Sequence, residues 1–282
     1  MSRIERAIEN VLKKREGESV EKTLENKDDS PEVRAVLDRE AISVSDGISI
    51  ANPYIITLKD PLSHAAEEYR NLKSMVLRLT RKDGFNNTLM ITSSLGGEGK
   101  SITSLNLAIT LAQEYDYSVL LVDADLRNPF LHRYLNINPE TGISDCLVHG
   151  QDIGKALIRT GIGKLSLLPA GRHVADPAEI LSSRGMKELI SEIKHRYDNR
   201  YVIIDTPPIL PFAETRSISA LVDSVLFVVK EGSAPLDDIK EALTVLKDSN
   251  ILGVVYNDVS IDNLRSRYSY YYKEYSGNGK GR

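Results

Sequence analysis

From about residue 51 onward, short and continuous apolar runs alternate with longer amphipathic segments. The apolar runs have the length of strands and occupy residues 88–93, 118–123, 164–169, 201–205, 224–229 and 251–256. The amphipathic segments predict helices over about 61–82, 99–115, 184–197, 214–221 and 236–249. Apolar strands that are separated by helices are typical of a parallel sheet that is covered on both faces. The pattern therefore predicts an α/β fold, a three-layer αβα sandwich with a mostly parallel central sheet.

The two ends of the chain have a different texture. Residues 1–15 place apolar side chains at helical spacing between basic ones, which predicts a short amphipathic helix. This helix either packs on its own domain and solvent or contacts a membrane or a membrane protein. Residues 16–50 are highly charged and lack aromatic side chains, as linkers do. We therefore divide the chain into a head (1–50), a folded domain (51–260) and a flexible tyrosine-rich tail (261–282).

Composition narrows the class of protein. With 41% hydrophobic residues in 282, the chain has enough apolar side chains for a proper core. Its net charge of −4 argues against a general nucleic-acid binder. Cys146 is the only cysteine in the sequence, and a single cysteine excludes a disulfide framework and a cysteine-rich metal site. We interpret Cys146 most simply as a small buried residue. No apolar run reaches the roughly 20 residues of a membrane span, so we expect a soluble, intracellular chain.

A glycine-rich stretch with the sequence S-S-L-G-G-E-G-K-S follows the first long apolar strand and leads directly into a predicted helix. From Ser94 it fits the phosphate-binding pattern G-x-x-x-x-G-K-[ST], except that serine replaces the first glycine. The glycines let backbone N–H groups approach phosphate oxygens, and the helix N-terminus adds a positive dipole end. Lys100 can reach the β- and γ-phosphates, and the Ser101 hydroxyl can ligate Mg²⁺. The strand and the helix on either side supply the context that this motif requires.

Acidic residues follow two further strands. V-L-L-V-D-A-D-L-R ends one strand with Asp123, Asp125 and Arg127, and V-I-I-D-T-P-P ends another with Asp205. In open α/β sheets, functional groups gather beyond the carboxyl ends of the strands. Oxygen ligands combined with substrate phosphates are what Mg²⁺ prefers. The three acids are therefore predicted to serve as Mg²⁺ ligands and as a proton acceptor in nucleoside triphosphate chemistry.

Together, the three segments resemble the Walker-type motifs of the bacterial tyrosine kinases. These are P-loop autokinases that control exopolysaccharide and capsule synthesis. The resemblance extends over roughly residues 53–260 and includes E-T-G-I-S-D-C-L, L-P-A-G and D-P-A-E-I-L-S-S between the motifs. It implies an ATP- and Mg²⁺-dependent protein-tyrosine kinase that phosphorylates its own C-terminal tyrosines within an oligomer.

The resemblance also implies roles for individual residues. Lys100 and the loop amides are expected to bind phosphates, while Ser101 and Asp205 hold Mg²⁺ with help from Asp123 or Asp125. Asp123 is expected to position or deprotonate the incoming tyrosine hydroxyl. The expected nucleotide contacts further include Gly96, Gly97, Glu98, Gly99, Ile102, Arg127 and, for the adenine edge, Asn257. Glu214 stands where an aspartate is common in the family, and it receives no role.

Partners are also implied by the family. Glu67, Arg70 and Lys73 resemble its Glu-x-x-Arg-x-x-Arg oligomerisation motif, with lysine in place of the last arginine. Lysine keeps the charge but loses the bidentate fork of arginine. A ring-like homo-oligomer, a separate transmembrane chain-length regulator as activator and a tyrosine phosphatase are the expected partners. The chain resembles the split form of the family, which is cytoplasmic and recruited to the inner face of the plasma membrane.

The C-terminal stretch Y-S-Y-Y-Y-K-E-Y contains five of the thirteen tyrosines in the sequence and has neither helical nor strand periodicity. Beside a phosphate loop and the Asp-x-Asp-x-Arg motif, we interpret it as the phosphoacceptor. The expected acceptors are Tyr268, Tyr270, Tyr271, Tyr272 and Tyr275.

Two other functions stay open at this point. A ParA- or MinD-like positioning ATPase shares the P-loop branch, but such proteins commonly have the loop sequence K-G-G-x-G-K, and Leu95 occupies the place of the first lysine. An ATP-binding scaffold of a polysaccharide assembly machine without kinase activity is the other alternative. Its motifs would be expected to have decayed, whereas Lys100, Asp123 and Asp205 are intact.

Overall fold

The fold is taken from a computed structural model that describes residues 43–44, 52–82 and 84–260. An eight-stranded sheet runs through these residues in the order β1-β4-β5-β3-β6-β2-β7-β8. Neighbouring strands are parallel except for β4 and β5, which are antiparallel. The strands are β1 (Ser43–Val44), β2 (Thr88–Ser93), β3 (Ser118–Asp123), β4 (Ile158–Arg159), β5 (Leu165–Leu168), β6 (Arg200–Asp205), β7 (Ser224–Lys230) and β8 (Ile251–Asn257).

Ten helices connect and cover the strands within the described part of the chain. The longest are α2, α3, α8 and α10, which are amphipathic or, for α3, almost entirely buried. The helices are α1 (Ile56–Lys59), α2 (His64–Thr80), α3 (Lys100–Ala112), α4 (Leu131–Tyr134), α5 (Ile143–His149), α6 (Ile153–Ala156), α7 (Pro177–Leu181), α8 (Arg184–His195), α9 (Ala213–Ser219) and α10 (Leu236–Val245). None of the described helices is long and apolar enough to cross a membrane.

Two hydrophobic cores lie on opposite faces of the sheet. Successive residues of the central strands alternate between them because strand side chains point to opposite faces. On one face, Met90 of β2 packs with residues of α8 and α10. On the other, Leu89 and Ile91 pack with α3 and with Val76 of α2. This confirms the predicted αβα sandwich with a mostly parallel sheet.

The six long predicted strands are confirmed to within one residue at each end, and the five predicted helices are confirmed with small differences at their ends. The structure adds α1, α4 to α7 and β4, which are too short for a periodicity to reveal. It also adds β1, which lies inside the segment interpreted as a linker and pairs with β4. Cys146 is partly buried rather than fully buried. The predicted helix at 1–15 and the tail at 261–282 lie outside the described residues.

The strand order decides where the site can form. β3, β6 and β2 are adjacent, with β6 between the other two. Asp123 at the end of β3 is in register with Asp205 at the end of β6, and Asp205 is in register with Ile91 of β2. The loops that follow these three strands therefore meet at one edge of the sheet, as expected for parallel strands.

Candidate active site

The loop between β2 and α3 has the backbone that a phosphate-binding loop requires. Gly97 and Gly99 have φ values of 83° and 90°, in the left-handed region that favours glycine. A Cβ atom added at Gly96 or Gly97 would meet no atom within 4 Å. The space beside these two glycines is therefore open, and a glycine-rich turn before a helix N-terminus is the arrangement that binds phosphate oxygens.

Glu98 holds the loop closed from the inside. Its side chain is completely buried, and its Oε2 atom accepts hydrogen bonds from Ser94 Oγ at 2.7 Å and from the Leu95 N–H at 2.8 Å. Its Oε1 atom has no partner among the described residues. The serine that replaces the first glycine of the motif is thus a partner of Glu98. The predicted contact of Glu98 with nucleotide is expected to come from its backbone, because the side chain points into the loop.

Lys100 begins α3 and lies among three carboxylates. Its Nζ atom donates to Asp125 Oδ2 at 3.2 Å. Burial alone lowers the pKa of Lys100, but the charges of Asp205, Asp125 and Asp123 outweigh burial and hold the pKa above its usual value. The ammonium group is therefore kept charged and positioned at the mouth of the phosphate loop.

Asp123 is fully buried at the end of β3. Its Oδ2 atom accepts a hydrogen bond from the backbone N–H of Leu131 at 3.2 Å, and its Oδ1 atom has no partner among the described residues. Burial and the neighbouring charge of Asp205 raise the pKa of Asp123 well above its usual value. One oxygen of a buried, basic carboxylate is thus available to a metal ion or to a proton.

Asp205 lies at the end of β6 and is held by the serines of α3. Ser104 Oγ donates to Asp205 Oδ1 at 3.0 Å. Burial raises the pKa of Asp205 to about 6, although Lys100 and hydrogen bonds from Ser101 and Ser104 lower it. Sequence reasoning missed Ser104, although its position three residues after Ser101 puts both hydroxyls on one face of the helix.

Arg127 is held by a residue to which the sequence assigned no role. The Glu214 side chain is only 1% exposed, and its Oε1 atom accepts from Arg127 Nε at 2.5 Å. The guanidinium also lies over the Phe212 ring, with 4.7 Å from its carbon to the ring centroid. Hydrogen bonding to Glu214 raises the pKa of Arg127. The sequence signal for Glu214 was weak: one acidic residue in the first turn of a short helix.

Asn257 closes the site from the other side of the loop. Its Nδ2 atom donates to the carbonyl oxygen of Glu98 at 2.9 Å. A Cβ atom at Gly99 would lie 2.1 Å from the same Nδ2 atom, so a larger residue there would have to displace the Asn257 amide in addition to adopting a positive φ. The structure thus brings Asn257 to the phosphate loop, and its contact with adenine stays a prediction.

The donor set fits a nucleotide with Mg²⁺. The available atoms are carboxylate and hydroxyl oxygens from Ser101, Asp123 and Asp205, together with an open loop and an adjacent lysine. Within the described residues, no three acidic, histidine or cysteine side chains form a metal cage of their own. Mg²⁺ usually binds through one or two carboxylates, water and substrate phosphates, and the oxygens of Ser101, Asp123 and Asp205 match that preference.

The predicted oligomerisation residues lie on one face of α2. Arg70 Nε donates to Glu67 Oε2 at 2.7 Å, and Arg70 also donates to the Pro61 carbonyl oxygen at 2.9 Å. Lys73 forms an ion pair with Glu114. All three side chains thus have partners within the chain, so their use between subunits stays a prediction. The predicted phosphoacceptor tyrosines lie outside the described residues.

Comparison with known proteins gives the site a context. A family model described as an AAA domain matches residues 86–250. The chain is 34% identical over 220 residues to tyrosine-protein kinase YwqD of Bacillus subtilis (strain 168), covering 77% of this chain and 90% of YwqD. It is 29% identical over 246 residues to tyrosine-protein kinase Wzc of Salmonella typhi, covering 86% of this chain but only 34% of Wzc.

Solved structures agree with these relatives. The chimerical protein CapA2B2 superposes with a TM-score of 0.68 at 28% identity, covering 81% of this chain and 98% of that chain. The kinase domain of Escherichia coli tyrosine kinase ETK gives a TM-score of 0.66 at 28% identity, covering 73% of this chain and 82% of that chain. The cell division ATPase MinD of Pyrococcus furiosus gives 0.52 at 26% identity, covering 61% and 72%.

Proposed function

Because this chain belongs to the bacterial tyrosine kinase family, we propose that it transfers the γ-phosphoryl group of ATP to tyrosines of its own C-terminal cluster. The observation that carries the proposal is the meeting of an open phosphate loop, the charged Lys100 and the buried Asp123 with one oxygen unpartnered among the described residues. These are the groups that bind the donor phosphates and receive the acceptor proton.

Each residue contributes a simple physical effect. The loop N–H groups and Lys100 hold the β- and γ-phosphates, and most of the catalysis comes from this positioning and charge neutralisation. Ser101 and Asp205 would hold Mg²⁺, which would supply charge neutralisation at the phosphates. A tyrosine oxygen then forms a bond to the γ-phosphorus while the bond to the bridging oxygen of ADP breaks. The phenolic proton passes to the free oxygen of Asp123.

We further propose that the reaction occurs between subunits of a ring, through a surface that includes Glu67, Arg70 and Lys73. Each phosphotyrosine adds about −1.5 to −2 charges near neutral pH. Several of them reverse the charge of the basic tail, so a phosphorylated tail leaves the neighbouring active site. By the same family likeness we propose a role in exopolysaccharide or capsule synthesis, a transmembrane activator that recruits the chain to the membrane, and a counteracting phosphatase.

The decisive experiment is direct. The full chain is incubated with Mg-ATP, with and without its membrane activator, and phosphotyrosine is located by mass spectrometry. Labelling within residues 268–275 is expected. Lys100→Met is expected to abolish it because the loop loses its ammonium group, whereas Lys247→Met, which removes an exposed lysine, serves as the matched control.

Two results would decide against the kinase. ATP hydrolysis without tyrosine labelling, even with the activator present, would favour a positioning ATPase of the MinD type. ATP binding with neither hydrolysis nor labelling would favour a scaffold. Labelling of Lys100→Met at the wild-type level would show that the chemistry lies elsewhere in the chain.

A further inference from the structure

An open cavity of about 450 Å³ lies on the protein surface where α4 faces the segment before α1. Three aromatic rings dominate its lining, and an arginine stands at its edge. These side chains are Tyr54, Phe130, Tyr134 and Arg133. None of them takes part in the site described so far.

The wall of this cavity is directly joined to Asp123. Phe130 directly precedes Leu131, the first residue of α4, and Tyr134 is the last residue of that helix. The backbone N–H of Leu131 donates to Asp123 Oδ2. Charges of the active site also act on Tyr134. Burial raises the pKa of Tyr134, the charges of Tyr54 and Asp205 raise it further, and the charge of Lys100 lowers it. One hydrogen bond, from the Leu131 N–H, thus links the helix that lines the cavity to the carboxylate that we propose as the proton acceptor.

The rings are arranged as a recognition surface for another ring. Tyr134 contacts Tyr54 edge-to-face at 5.6 Å between centroids and Phe130 in a tilted arrangement at 5.8 Å. The Arg133 guanidinium lies over Phe130 at 4.9 Å. Aromatic rings favour such edge-to-face and offset partners, and Tyr54 is still 50% exposed, so the set has an unused aromatic surface.

The cavity is anchored to the nucleotide site on both sides. Asn52 Nδ2 donates to the Tyr134 carbonyl oxygen at 2.8 Å. Asn106, on the helix that begins with Lys100, donates from Nδ2 to the Tyr54 carbonyl oxygen, also at 2.8 Å. These bonds connect the segment that carries Tyr54 to both α4 and α3, so the cavity is formed without a ligand and keeps its place relative to the phosphate loop.

The sheet order separates this cavity from the expected base-binding side. Asp123 is on β3 and Asn257 is on β8, and in the sheet these strands lie on opposite sides of β2, which leads into the phosphate loop. The cavity is attached to the β3 side, where the acceptor must approach. A nucleotide base bound beside Asn257 would therefore leave the aromatic cavity vacant.

We propose that this aromatic cavity binds the phenol ring of the acceptor tyrosine and selects tyrosine over serine and threonine. The ring would pack against Tyr54 and Phe130, with its hydroxyl directed toward Asp123. A short aliphatic alcohol has no surface to bury against these rings. This inference rests on the proposed kinase function and adds the acceptor-binding site to it.

The test uses the full chain with alanine at its five C-terminal tyrosines, which removes its own tail acceptors. A synthetic peptide of residues 265–277 is then added as the acceptor. Peptide binding is measured by fluorescence anisotropy, and phosphorylation is measured against peptide concentration. Tyr54→Ala and Phe130→Leu are compared with Tyr115→Ala, which removes an aromatic ring that is 88% exposed at the far end of α3. Circular dichroism verifies that each variant is folded.

Loss of one aromatic partner is expected to weaken peptide binding and to raise its KM by about tenfold. The kcat at saturating peptide and the affinity for ATP are expected to stay within about twofold, because Tyr54 does not contact the phosphate loop. Tyr115→Ala is expected to match the parent protein. A change in kcat alone, with KM unaffected, would indicate a structural effect on Asp123 and would overturn the proposal.

The two hypotheses can fail separately. A parent protein that phosphorylates the peptide while both cavity variants bind it normally would overturn the cavity and leave the kinase intact. A parent protein that binds the peptide through Tyr54 but labels no tyrosine would support the cavity and refute the kinase. A parent protein that does not bind the peptide at all would also overturn the cavity.

Discussion

Asp145 offers a direct test of how two loops of the domain are held together. Its side chain is 0% exposed and accepts the Gly142 N–H at 2.9 Å and the Arg172 N–H at 3.3 Å, as well as the Arg172 guanidinium. These contacts join the segment E-T-G-I-S-D-C-L to Arg172, which directly follows L-P-A-G; the sequence singled out both segments. Asp145→Asn keeps the size of the side chain but replaces one acceptor oxygen with an N–H donor.

The size of the effect depends on the hydrogen bonds that the substitution removes. A hydrogen bond to a charged group contributes about 1.5–3 kcal/mol, and a buried N–H left without an acceptor costs a similar amount. The Arg172 side chain is 63% exposed, so its share is reduced by solvent. We therefore expect Asp145→Asn to lower the free energy of unfolding by about 3 kcal/mol. For a chain of this size, that corresponds to a decrease of about 6–12 °C in Tm.

The pH dependence gives a second, independent signature. Burial raises the pKa of Asp145, but the hydrogen bonds from Arg172 and Gly142 outweigh it and hold the pKa below its usual value. The stabilisation is therefore complete above the unfolded pKa of about 3.9 and is lost as the pH falls through the lower folded pKa. The difference between wild type and Asp145→Asn should be constant near neutral pH and should shrink below about pH 4.

Urea denaturation at several pH values measures both effects. Asp237→Asn is the matched control because its carboxylate is 92% exposed, and a change below about 0.5 kcal/mol is expected there. Arg172→Ala should cost less than Asp145→Asn because the backbone N–H groups keep their acceptor. The reasoning is refuted if Asp145→Asn unfolds within about 0.5 kcal/mol of wild type at pH 7.

Two further predictions concern the phosphate loop and its surroundings. Gly99→Ala is expected to weaken ATP binding at least about tenfold, since the left-handed φ costs about 1–2 kcal/mol and the new Cβ collides with Asn257. The double variant with Asn257→Ala should recover part of the ATP affinity, as measured by calorimetry. Full recovery would show that the positive φ at residue 99 does not affect ATP binding. Glu214→Gln is expected to slow tyrosine labelling about tenfold by releasing Arg127. Glu188→Gln, which changes an exposed ion pair, is the control and should leave the labelling rate unchanged. If Glu214→Gln also labels at the wild-type rate, Arg127 does not depend on Glu214 for its function.

Much of the fold could be predicted because its signals are local. A buried strand such as Thr88–Ser93 or Ser118–Asp123 is a continuous apolar run, and α3 begins where the glycine-rich loop ends. The same holds for the polar residues that follow these strands, since parallel strands bring their carboxyl ends to one edge. The phosphate loop and its three acids could therefore be identified before any contact was known.

Partners that lie far apart in the sequence could not be predicted in this way. Glu214 contacts Arg127 across 87 positions, Asn257 contacts Glu98 across 159, and Lys73 pairs with Glu114 across 41. Periodicity reports which face a side chain occupies, but not which distant side chain it meets there. α4, which carries Tyr134 and donates the Leu131 N–H to Asp123, is a single turn with no periodicity to detect.

The sequence by itself thus determined the class of fold, the phosphate loop and the acidic residues of the site, because local spacing specifies strand, turn and helix. The tertiary structure alone decided the strand order, the pairing of Lys100 with Asp125, the anchoring of Arg127 by Glu214 and the aromatic cavity at α4. These depend on packing between segments that are remote along the chain, and such packing is set by the whole domain.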